Sequence, residues 1–246
     1  MKRLTEGFTM NEYGLDHLRR PTTTRPLLGL TILAVEDSLY ACDALRLLCL
    51  HSGARLRRAD CLQSARRHLR VYRPSVAIVD MNLPDGSGAD LIAELATTVP
   101  RVPVILGCSG DSFAEDVAYA AGAEGFLEKP FANIGTFQQE ILKHLPPDFQ
   151  PAGIRPIRTD LVEPDPVAFR EDMAHIADIL GGPLDAKTIR YVTAFLHGVA
   201  VFAEDGVLSR AASELALAQE DGTPLIGPMS RLAGLVQDRV RDAVAI

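Results

Sequence analysis

The sequence predicts an α/β fold, a doubly wound five-stranded parallel sheet over residues 29–145, followed by an all-α region. Three observations predict it. Apolar runs alternate five times with stretches of helical period between Leu30 and Leu145, the pattern of βαβ units with right-handed crossovers and helices on both faces. Several runs are continuous rather than alternating, as in "LTILAV" and "SVAIVD", so their strands are covered on both sides. Beyond Pro166 the strand pattern stops and only helical periods remain.

Each element follows in order. "LTILAV" is the first strand. "SLYACDALRLLCLHSG" has helical spacing, with Leu39, Cys42, Leu45 and Cys49 on one side and a stop at Gly53. "RLRRA" is a weak second strand, and "DCLQSARRHLRVYRP" a helix with Asp60 as its expected N-cap. "SVAIVD" is the third strand, "GSGADLIAELATTVP" a helix, and "VPVILGCS" the fourth strand. "DSFAEDVAYAAGA", "EGFLE" and "IGTFQQEILKHL" complete the set as helix, short strand and last helix.

Four segments are expected. Residues 1–28 are an arm without sustained period, which is flexible or docks locally. Residues 29–145 hold the sheet. Residues 146–166 carry six prolines and form a stiff, extended linker. Residues 167–246 hold four helices. The first places Phe169, Met173, Ile176 and Leu180 on one stripe. The second, around "IRYVTAFLHGVAVF", is apolar on two faces and is expected at the centre.

Composition excludes several classes. The chain has 25 Lys and Arg against 32 Asp and Glu, a formal charge of −7, which disfavours broad contact with a phosphate backbone. The first residues, "MKRLTEGFTMNEYG", lack the apolar stretch of a secretory signal. No apolar run approaches the roughly 20 residues of a membrane span. Cys42, Cys49, Cys61 and Cys108 form no CxxC pair and read as reduced thiols of a cytoplasmic protein.

The strand ends carry the chemistry. In a parallel sheet of this kind the functional crevice lies outside the carboxyl ends of the strands. The first strand ends at Glu36–Asp37, the third at Asp80, the fourth at Cys108–Ser109–Gly110 and the fifth at Glu128–Lys129–Pro130. Three carboxylates, a hydroxyl and a lysine therefore meet in one crevice. The carboxylates repel one another, and a hard divalent cation such as Mg²⁺ relieves them, since it takes oxygen ligands. An aspartate can also act as a nucleophile toward phosphorus.

In "VED" after the first strand, "VDMNLPDGSG" at the third and "AAGAEGFLEKPF" at the end, residues 30–145 resemble the flavodoxin-like receiver domain of bacterial two-component response regulators. The resemblance implies that Asp80 accepts a phosphoryl group from a sensor histidine kinase or phosphotransfer protein. It implies that Glu36, Asp37, Asp80 and the backbone carbonyl of Asn82 hold Mg²⁺. Lys129 pairs with the carboxylate or phosphate, Pro130 follows a cis peptide bond, and Phe126 occupies the aromatic switch position. For the switch hydroxyl, chemistry favours Ser109 and spacing favours Cys108, so both stay open. Such a domain is no enzyme beyond its own Mg²⁺-dependent phosphorylation and dephosphorylation.

Between Pro151 and Ile246 there are nine Lys and Arg against fourteen Asp and Glu, a balance of −5. A DNA-reading domain presents a basic face, so nucleic acid is not the expected partner, although DNA-binding transcriptional control is the family's common output and stays as the alternative. Contact with a downstream protein, or homodimerisation, fits a small acidic helical unit. His175 faces away from the apolar stripe and raises a further alternative, a phosphorelay carrier. Glu171, Asp172 and Asp178 beside it oppose a phosphoryl group. His197 reads as a packed helix residue.

Overall fold

The structure is a computed structural model, and it describes residues 20–111, 113–152 and 157–241. Five parallel strands, β1 (Thr31–Val35), β2 (Arg55–Ala59), β3 (Val76–Asp80), β6 (Val104–Ser109) and β7 (Gly125–Glu128), form one sheet in the order β2-β1-β3-β6-β7. A two-stranded ribbon, β4 (Asn82–Leu83) and β5 (Gly86–Ser87), follows Asp80. The chain moves outward from β1 to β2 and then returns to β3 on the other side. The strand order therefore reverses beside β1 and β3, which opens a crevice at their carboxyl ends.

Helices cover both faces, as the continuous apolar strands require. α1 (Leu39–Ser52) and α5 (Ile134–His144) bury Leu45, Leu48, Phe137 and Ile141 against Ile32 and Ile78. α2 (Leu62–Val71), α3 (Gly88–Thr97) and α4 (Ala114–Ala121) cover the opposite face, over Leu33, Val79 and Ile105. Gly53 ends α1 with φ +85°, a left-handed conformation that favours glycine.

The N-cap of α2 differs from the sequence expectation. Cys61, not Asp60, occupies it, with Sγ accepting from the Ser64 amide at 3.4 Å. The Leu62 and Gln63 amides go instead to the two carboxylate oxygens of Asp85, at 2.8 and 2.9 Å. Asp85 reaches them from the turn between β4 and β5. A carboxylate from a distant turn outcompetes a local one because two helix-end amides point at it together.

The proline-rich segment is not a free spacer. Pro147–Phe149 form one 3-10 turn, Leu161 bridges to Asn133, and the Val162 amide donates to Ala132 O at 2.9 Å while its side chain is buried beside α5. An extended chain carries unpaired amides and carbonyls, and here they find partners on the receiving surface. Of the arm, residues 20–28 are described: the Leu27 amide donates to Ser52 O at 2.9 Å and its side chain is fully buried.

The last four helices, α6 (Pro166–Leu180), α7 (Ala186–Phe202), α8 (Gly206–Glu220) and α9 (Ile226–Arg241), enclose a core of their own that includes Met173, Ile176, Leu196, Leu215 and Leu232. α7 has the two buried faces that its pattern implies, but it does not sit at the centre of the four helices: it packs on α8 on one side and meets α1 and β4 on the other, because its second apolar face is covered by the sheet region. The unit is joined tightly to the sheet region. Phe202 of α7 packs in the α1/α5 core, edge-on to Phe131 at 5.1 Å and to Tyr40 at 5.8 Å. Burying one such ring contributes roughly 2 kcal/mol.

Candidate functional site: an acidic cleft at the strand ends

Asp80 ends β3 and is almost completely buried. Its Oδ2 lies 2.7 Å from Lys129 Nζ, and its Oδ1 accepts the Asn82 amide at 3.1 Å. Lys129 follows β7 immediately, and the Lys129–Pro130 peptide bond is cis. Its ammonium also stands 2.8 Å from Glu36 Oε2, so one cation bridges two buried carboxylates. Glu36 Oε1 accepts the Ser38 amide at 3.2 Å. The nearest carboxylate oxygens of Glu36, Asp37 and Asp80 all lie within 4.8 Å of one another.

Backbone approach makes this cleft possible. Gly88 opens α3 directly beneath Asp80, and a Cβ there would collide with the Asp80 carbonyl. This explains the glycine after "VDMNLPDGS". On the other flank Arg58 of β2 donates to Asp37 O at 3.0 Å and holds the β1–α1 turn.

The electrostatics follow from burial. Desolvation, followed by the Asp80 charge, raises the Asp37 carboxyl to about 7. Desolvation raises Glu36 as well, against the pull of Lys129. Burial alone would lower the Lys129 ammonium, but the Asp80 and Glu36 charges outweigh it and hold it above its ordinary range. The cleft thus carries three carboxylates against one buried ammonium. An all-oxygen donor set with surplus negative charge fits Mg²⁺ and not a thiolate-seeking metal.

Ser109 closes β6 and lines the cleft, its Oγ accepting the Asp111 amide at 3.1 Å. Cys108, in register with Asp80, points its side chain into the α1/α5 core instead, fully buried. Neighbouring strand residues face opposite sides, so only one of the two can face outward here. Burial raises the Cys108 thiol well above its ordinary range. Phe126 is half-buried on β7, against Gly107 and the core under α4. His175 is exposed on α6, its ring edge 6.5 Å from Phe195. His197 pairs through Nδ1 with Ser209 and Ser213.

This geometry, with an acidic pair after β1, an aspartate after β3, a hydroxyl after β6 and a lysine before a cis-proline, matches a known arrangement. The model of the response regulator receiver domain matches residues 32–141. Residues 32–141 are a receiver domain. Two curated relatives align with this segment. "Probable transcriptional regulatory protein TcrX" of Mycobacterium tuberculosis is 30% identical over 103 residues, 42% of this chain and 44% of the relative. The KDP operon transcriptional regulatory protein KdpE of Escherichia coli is 30% identical over 110 residues, 45% of this chain and 48% of the relative. The matched segment thus spans less than half the length of these curated relatives. Among solved structures, the chemotaxis response regulator CheY4 of Vibrio cholerae superposes with TM-score 0.43 and 24% identity, over 47% of this chain and 98% of that one. The receiver sheet and its flanking helices have the fold expected of such domains.

Two residues of the site were not legible in the sequence. Asp172 of α6 is buried and caps α1 from outside: its carboxylate accepts from Ser38 Oγ at 2.7 Å and from the Leu39 and Tyr40 amides at 2.8 and 3.1 Å. Burial raises its carboxyl, opposed by those three donors. Asp172 is therefore no repulsive neighbour of His175, and its place three residues after Phe169 on the inner stripe was the available signal. Tyr191 of α7 donates its hydroxyl to Asp37 Oδ2 at 2.7 Å, and burial, then the Asp37 charge, raises the phenol far above its ordinary range.

Proposed function

We propose that the chain is a two-component response regulator in which Asp80 accepts a phosphoryl group from a sensor histidine kinase or phosphotransfer protein. What supports the reading is one relationship: a single buried ammonium, Lys129, spans Asp80 and Glu36 at 2.7 and 2.8 Å. An Asp80 oxygen attacks phosphorus, the donor's phosphorus–nitrogen bond breaks with its electron pair going to the imidazole, and an acyl phosphate forms. Lys129 stays beside the product and balances charge that grows on the phosphoryl oxygens. Ser109 offers its hydroxyl to one of them, and Phe126 senses that movement from β7. Glu36, Asp37, Asp80 and the Asn82 carbonyl would hold Mg²⁺, which supplies further charge neutralisation when bound. The protein works in the cytoplasm and turns over no substrate besides its own aspartyl phosphate.

The output is contact with a downstream protein, or self-association, through the acidic helical unit. A second reading, DNA binding, is favoured by the names of the two relatives, but those alignments cover only the receiver half. Labelled acetyl phosphate with Mg²⁺ should modify wild type and spare Asp80→Asn; equal labelling refutes the acceptor assignment. A gel shift at physiological salt with the phosphorylated protein separates the two outputs.

A further inference from the structure

The rim around Asp80 already has an occupant from the same chain. α7 crosses it with Tyr191, Ala194, Phe195, Gly198 and Val199, which repeat at three and four and share one helix face. Ala194, Phe195, Gly198 and Val199 line the cleft together with Glu36, Asp37, Asp80 and Lys129. Tyr191 reaches past them to Asp37 Oδ2, on a carboxylate of the candidate metal set. The approach is close because both surfaces lack side chains at the crossing: a Cβ on Gly110 would stand 3.5 Å from Gly198 Cα. The space left inside is about 20 Å³, room for roughly one water molecule. A phosphoryl group has four heavy atoms and needs a donor in line behind it, so neither fits beneath α7 as it lies.

The closed position is built rather than incidental. Asp172 fastens α6 to the start of α1 through three donors, and the Asp165 amide donates to Asp43 Oδ2 at 3.0 Å. At the far end of α7, Phe202 is seated between Phe131 and Tyr40. Tyr191 and a metal ion compete for the same carboxylate, so whatever favours one disfavours the other by the same factor.

We propose that the α6–α9 unit is a roof over the phosphoacceptor cleft, latched by the Tyr191 hydroxyl on Asp37, and that metal entry and access to Asp80 require α7 to lift from the rim. The access half rests on the reading of Asp80 as the acceptor; the metal half does not.

The test uses the full chain. Tyr191→Phe removes the latch and keeps the ring. Ala194→Asp adds a fourth carboxylate to the cleft and repels the roof by charge. Calorimetric Mg²⁺ titration of Tyr191→Phe should show affinity raised about tenfold, the scale of one hydrogen bond to a charged group. Hydrogen exchange over residues 186–202 should quicken in Ala194→Asp, and Asp80 should label faster in both variants. Unchanged Mg²⁺ affinity in Tyr191→Phe with unchanged α7 exchange in Ala194→Asp overturns the roof. If no form labels while the affinity and exchange shifts remain, the acceptor reading fails and the roof stands.

Discussion

Lys129 Nζ and Asp80 Oδ2 are 2.7 Å apart in a cleft closed to solvent on nearly every side. Removing one partner of a buried ion pair leaves the other uncompensated, at a cost of about 3–5 kcal/mol. Lys129→Met should therefore lower metal-free stability by that order at pH 7. Mg²⁺ should recover part of it, because the cation replaces the lost positive charge. Thermal melts with EDTA and with Mg²⁺ check this, and equal melting of variant and wild type in EDTA counts against it.

The pH dependence of the metal-free protein follows from Asp37. Its carboxyl is raised to about 7 in the folded chain, against about 4 when unfolded. The folded state holds the proton more tightly, so this group costs nothing below about pH 4. Its contribution to stability falls as pH rises from about 4 to about 7 and is level above that. Melts across this window in EDTA should show the fall, and saturating Mg²⁺ should flatten it.

Asp172 offers a test of how the two parts are joined. Asp172→Ala strips the outside cap from α1 and leaves two amides and a buried hydroxyl without their acceptor. The expected loss is about 2 kcal/mol, or roughly 4–8 °C in melting temperature for a chain of this size. Because the cap also fastens α6, hydrogen exchange should rise along residues 166–180 as well as at the start of α1.

Ser109 and Cys108 separate cleanly by substitution. Ser109→Ala should slow labelling of Asp80 several-fold at little cost in stability, since the residue lines the cleft. Cys108→Ser should leave labelling unchanged and cost about 1–3 kcal/mol, because it puts a hydroxyl into an apolar core. The reverse outcome would make position 108 the responsive one.

The thiols should differ in reactivity. Burial pushes Cys49 up to about 12 and Cys42 higher still, and Cys108 is fully enclosed. Cys61 alone among the four is partly exposed. A thiol reagent on the native protein should modify one equivalent quickly, and Cys61→Ser should abolish that phase.

The sequence alone settled what depends on neighbours along the chain. Continuous apolar runs must be covered strands, and a parallel sheet must present its strand ends together, so Glu36, Asp37, Asp80, Ser109 and Lys129 could be brought to one rim from their order. The same local logic separated the helical unit and gave α7 two apolar faces, although it could not say that one of them lies against the sheet region rather than at the centre of the four helices. Tertiary structure decided everything that one unit does to the other. Asp60 yields the N-cap to Cys61 and the first free amides to Asp85, Asp172 turns from a surface acid into a buried cap, and Tyr191 reaches Asp37 across more than 150 positions. The helical period places Asp172 on the inner stripe, but no period or motif names the partners in such contacts. They arise where a helix face assembled by packing meets a cleft assembled by strand order, and the fit of Gly198 against Gly110 exists only once both are folded.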